Sequence, residues 1–92
     1  MPQIFKFGAY RVFFWSNEGK PCEPVHIHII NGKPAANATK LWITHSGKCL
    51  LCNNNSNIPP SDLRKLIRVI EANSNIIISR WHSYFGEISY YC

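Results

Sequence analysis

The chain has 92 residues, 46% of them hydrophobic and 13% aromatic, with ten Lys and Arg against five Asp and Glu. This apolar content excludes a disordered chain, and no apolar run approaches the ~20 residues a membrane-spanning helix requires. A chain so short buries only ~60–65% of its unfolded surface, so one modest core and one domain, 1–92, are expected.

The net charge of +5 permits an acidic partner such as RNA, DNA or an acidic protein without requiring one. The start, Met1-Pro2-Gln3-Ile4-Phe5-Lys6, lacks the basic and apolar regions of a signal peptide. A cytoplasmic location is therefore expected, with no membrane contact and with Cys22, Cys49, Cys52 and Cys92 as thiols. The apolar volume suffices to fold the chain without a cofactor, and none is expected.

Gln3 to Phe7 and Tyr10 to Trp15 are aromatic and β-branched runs around Gly8-Ala9, the two-residue loop of a hairpin with Gly at the positive-φ position. In the second run Tyr10, Val12 and Phe14 share one face and Arg11, Phe13 and Trp15 the other, so both faces should be at least partly covered. Ser16 to Pro24 reads as a loop. A third strand, Val25 to Ile30, and a fourth, Asn37 to Ile43, flank the turn Asn31-Gly32-Lys33-Pro34.

The turn-rich stretch Thr44 to Asn57 has room for a short strand around Lys48 to Leu51, and the run Asn53 to Asn57 suits a left-handed turn. Pro60 then fits a first helical position, and Asp62 puts a carboxylate in the first turn. Leu63, Leu66, Ile67 and Ile70 define that helix's apolar face, with Arg64, Lys65 and Arg68 away from it. Asn73-Ser74-Asn75 separates it from a second helix carrying Ile77, Ile78, Trp81, Tyr84 and Phe85 and ending at Gly86. The tail, Glu87 to Cys92, alternates and could add an edge strand. The reading is an α+β fold: an antiparallel sheet of four or five strands, built from two N-terminal hairpins, packed against two C-terminal helices.

His26 and His28 project from one face of the third strand, ~6.5–7 Å apart along it. Two imidazoles at that separation could serve as general base and general acid on a phosphodiester, because imidazole titrates nearest neutrality. The plainer reading is a pair of half-exposed strand residues bonded to neighbours. A histidine-triad hydrolase needs a third imidazole where this chain has Ile30. His45, Cys49 and Cys52 give His-x3-Cys-x2-Cys, a weak zinc signal without a second cysteine pair. Arg64, Lys65 and Arg68 could meet nucleic-acid phosphates or form a solvated face.

Several segments together carry a resemblance: Ile4-Phe5, Tyr10 through Glu18, Glu23-Pro24-Val25-His26-Ile27-His28, Ala38 through Ile43, and Arg80-Trp81-His82-Ser83-Tyr84-Phe85-Gly86, with Pro2 before them. They resemble the domain-of-unknown-function 4160 family of small bacterial proteins. The resemblance implies a second small protein encoded nearby, in an arrangement that looks like a type II toxin–antitoxin pair. The expectation is a component of such a module that binds an antitoxin-like partner. If it is the toxin, it would act on RNA as a metal-independent ribonuclease through His26 and His28, with Arg11 or Lys40 supporting phosphate charge. The alternative is a non-enzymatic module that binds a partner protein or nucleic acid.

Overall fold

The computed structural model describes residues 3–18 and 23–92. Pro2, Cys22 and the middle of the loop from Ser16 to Pro24 lie outside the described residues. Five strands, β1 (Gln3–Phe7), β2 (Tyr10–Phe13), β3 (His26–Asn31), β4 (Thr39–Ile43) and β5 (Cys49–Asn53), precede two helices, α1 (Pro60–Ala72) and α2 (Ser74–Phe85). The strands form one antiparallel sheet in sequence order. This is the expected α+β architecture.

The turns are set by residues that tolerate positive φ. Gly8, at φ 61°, brings Phe7 opposite Tyr10, as the hairpin reading requires. Asn57 takes φ 56° at the end of the asparagine run, where Asn54 does most of the fastening. The Asn54 side chain accepts from the Ile58 amide and the Thr39 hydroxyl and donates to the Ile58 carbonyl. That clamp ties the loop after β5 to β4 and delivers the chain to α1.

One sheet face and the two helices enclose the main core. Val12, Phe14, Ile27, Ile29, Leu41 and Ile43 meet Leu66, Ile70, Ile77 and Trp81, all essentially without solvent contact. Alternation sends Phe13, Ile30 and Ala38 to the opposite face, where Trp15 packs over them. Both faces of β2 are thus covered, the second by a much smaller cluster.

Helix α1 starts with Pro60 at its first position and buries Leu66 and Ile70, with Leu63 and Ile67 half-buried beside them. Arg64, Lys65 and Arg68 point away from the core and are exposed. Asn73 breaks the helical path. Its side-chain amide donates to Val69, and its carbonyl accepts from the Ile76 and Ile77 amides that open α2. Gly86, left-handed at φ 78°, ends α2 by donating to the His82 carbonyl.

The tail differs from the edge-strand expectation. It forms no strand, although Ser89 and Cys92 accept hydrogen bonds from the amides of Val25 and His45. Those donors belong to two separated segments, one before β3 and one after β4, so no continuous ladder can form. Side chains hold the tail instead: Tyr91 stacks on Trp42 at 4.7 Å, and Ile88 and Tyr90 pack against the core. Among the described residues, no helix is long and apolar enough to cross a membrane.

Candidate functional site

The ladder between β2 and β3 ends with Phe13 opposite His28. Past that point β2 leaves the sheet, and the chain turns through Ser16, Asn17 and Glu18, with the Glu18 amide donating to the Trp15 carbonyl. The turn folds the Glu18 carboxylate back over β3. One oxygen, Oε1, accepts from the Trp15 amide at 2.7 Å. The other, Oε2, lies 2.6 Å from His26 Nε2 and 2.8 Å from His28 Nε2.

His26 and His28 do share a face, and their ring centres are 5.1 Å apart, nearly perpendicular. His26 has no exposed surface, enclosed by Trp42 at 5.5 Å and by Trp81 of α2 at 5.0 Å. His28 is 8% exposed and stacks on Phe13. The enclosure arises because His26 sits beyond the β2–β3 ladder, where Trp81 can reach its ring.

The nitrogens of His26 face two acceptors. Nδ1 is 2.8 Å from the Pro24 carbonyl, and Nε2 meets the carboxylate. Nδ1 of His28 is buried and has no hydrogen-bond partner among the described residues. Burial by itself would raise the Glu18 carboxyl, but hydrogen bonds from His26 and His28, reinforced by ring charge, outweigh it and hold the group at about 2. Glu18, His26 and His28 are also the single group of three or more His, Cys, Asp and Glu side chains, among the described residues, whose ligand atoms converge, all within 4.8 Å.

The family described as domain of unknown function (DUF4160) matches residues 9–82. The chain belongs to that family. No curated protein and no solved structure matches it. Family membership therefore supports the whole triad region, Glu18 through His28, as part of the DUF4160 match, while assigning it no activity.

The other expected site residues are spread over the molecule. Lys40 is the register partner of His28, but its ammonium lies 4.2 Å above the Trp42 ring and 3.5 Å from Glu23. Arg11 pairs with Ile30, two residues further along β3 from His28. Arg64, Lys65 and Arg68 sit on α1, which packs on the sheet face away from Phe13 and His28. His45, Cys49 and Cys52 do not converge on a metal position. His45 packs edge-on against Tyr90, and Cys52 is exposed where the β4–β5 register shifts. Cys49 is half-buried; burial and the nearby Glu71 carboxylate push its thiol up to about 12.

Glu18 is the residue that reading the histidines alone misses. Its signal was present in Ser16-Asn17-Glu18, a carboxylate at the start of the loop leading to the paired histidines, in a chain with only five acids. Strand alternation pairs His26 with His28. Nothing local predicts that a loop eight residues earlier closes onto them.

Proposed function

We propose that this protein is the partner-binding member of a bacterial toxin–antitoxin-like pair and acts by protein contact. The observation that carries the reading is edge strand β5, in which adjacent Leu50 and Leu51 are 40% and 49% exposed and no residue is charged. Edge strands that must stay single usually carry Lys or Pro to repel a neighbour, and an apolar edge without charges of its own, capped by Glu71 only at the Cys49 amide, is a surface for another chain. The net charge of +5 favours an acidic partner.

Cleavage of RNA at His26 and His28 is the weaker reading. A phosphodiester must touch its general acid and base, whereas His26 has no exposed surface and both Nε2 atoms face Glu18. The test is co-expression with the small protein encoded beside it, followed by measured affinity of the purified pair. A complex weakened at least tenfold by Leu51→Asp, with the melting temperature of the chain unchanged, supports the proposal. Absence of a complex, or RNA cleavage abolished by His28→Ala, refutes it.

A further inference from the structure

We infer that Glu18, His26 and His28 form a binding site for one divalent transition-metal ion of the zinc or iron(II) type. Two imidazole nitrogens and one carboxylate oxygen suit borderline first-row cations and are a poor set for calcium or magnesium, which take oxygen ligands. All three donors point to one place, with Nε2 of both rings directed at the same carboxylate oxygen, 2.6 and 2.8 Å away.

The hydrogen bond from His26 to the Pro24 carbonyl fixes the ring in the way that metal-ligating histidines are held. Its Nδ1–H donates to the Pro24 carbonyl at 2.8 Å, which turns the ring and leaves Nε2 as the coordinating atom. Without an ion, Nε2 of both rings donates to the Glu18 carboxylate, and a bound cation would take the place of those bridging protons between the same three ligand atoms. The rival is the same hydrogen-bonded trio holding no metal.

The space required is small. Ligand atoms ~2.0–2.1 Å from a tetrahedral ion lie ~3.3 Å from one another, so the 2.6 and 2.8 Å nitrogen–oxygen separations need to open by ~0.7 and ~0.5 Å. Glu18 belongs to a turn and not to the sheet, so a side-chain rotation can supply that opening while β3 keeps its register. Phe13, Trp42 and Trp81 around the rings form the apolar shell that strengthens metal–ligand electrostatics. Its three ligand residues are not on the Leu50–Leu51 edge, so the site stands independently of the partner-binding proposal.

The test uses the full chain, purified without a polyhistidine tag, stripped with chelator and titrated with Co2+ and Zn2+ alone. The expected result is one ion per chain by native mass spectrometry. Bound Co2+ should show visible ligand-field absorption without a sulfur-to-cobalt charge-transfer band, and binding should weaken by at least roughly 100-fold in Glu18→Gln and His28→Gln. Because either variant could unfold, wild-type imidazole 15N resonances supply a second readout. Zn2+ should shift Nε2 of both His26 and His28 while His26 keeps its proton on Nδ1. The inference is overturned if no ion binds at millimolar metal, or if ions bind without moving either Nε2 signal.

Discussion

Replacing Glu18 by Ala removes the acceptor for three nitrogens at once: the Trp15 amide, His26 Nε2 and His28 Nε2, at 2.7, 2.6 and 2.8 Å. A buried donor left without a partner costs ~1–3 kcal/mol. The Glu18 side chain keeps about a tenth of its surface in water, so solvent can reach part of the space it vacates, and the lower end of that range applies. Three such losses sum to about 3 kcal/mol. In a domain of this size, each kcal/mol moves the melting temperature by ~4–8 °C, so a fall of at least ~12 °C is expected. Urea and thermal unfolding followed by tryptophan fluorescence, in chelator so that bound metal does not contribute, measures it. Glu18→Gln, which keeps one acceptor oxygen, should fall between the wild type and Glu18→Ala. Glu87→Ala, at an exposed position, should change stability by no more than ~0.5 kcal/mol. If Glu18→Ala costs no more than Glu87→Ala, the carboxylate does not hold the two imidazoles and the account of the site fails.

Four further outcomes are expected. Cys49, its thiol pushed up to about 12 from 9.0, should react with iodoacetamide far more slowly near pH 8 than exposed Cys52 and Cys92; equal rates by peptide mass mapping would contradict its burial. The same shift makes folding favour the neutral thiol, so its contribution is complete below pH 9 and lost as pH rises from 9 towards 12; replacing Cys49 with Ala should flatten that alkaline limb in unfolding experiments. Gly47→Ala should cost about 1–2 kcal/mol for the left-handed φ of 84°. Its new Cβ would also lie 2.9 Å from Ser74 Oγ, so adding Ser74→Ala should recover only the clash, as a double-mutant cycle can show. Tyr10→Phe deletes a 2.8 Å hydrogen bond to Asp62 joining β2 to α1 and should cost about 1 kcal/mol, a cost that should largely vanish when Asp62 is already Ala if the bond accounts for it.

The β1–β2 hairpin was legible because Gly8-Ala9 states its turn chemistry locally, and α1 and α2 because Pro60, the Leu63 to Ile70 spacing and Gly86 are local start, face and stop signals. Strand ends moved by at most two residues, as with β5, expected around Lys48 to Leu51 and found at Cys49–Asn53. Strand ends depend on partners: β5 reaches Asn53 because its shifted register places that residue opposite Lys40. The tail misled for a related reason. Its alternation resembles a strand, but its hydrogen-bond donors, Val25 and His45, come from different segments.

What the sequence determined by itself is the α+β order of elements, the shared face of His26 and His28 and the exposed cations of α1, since each follows from a period of two or 3.6 residues within one segment. The tertiary structure alone decided that His26 is enclosed, that Lys40 lies over Trp42 and that Glu18 closes onto both imidazoles. Those facts depend on where β2 leaves the sheet and how its loop returns. Such closures are set by packing between segments distant in the chain, and no local periodicity encodes them.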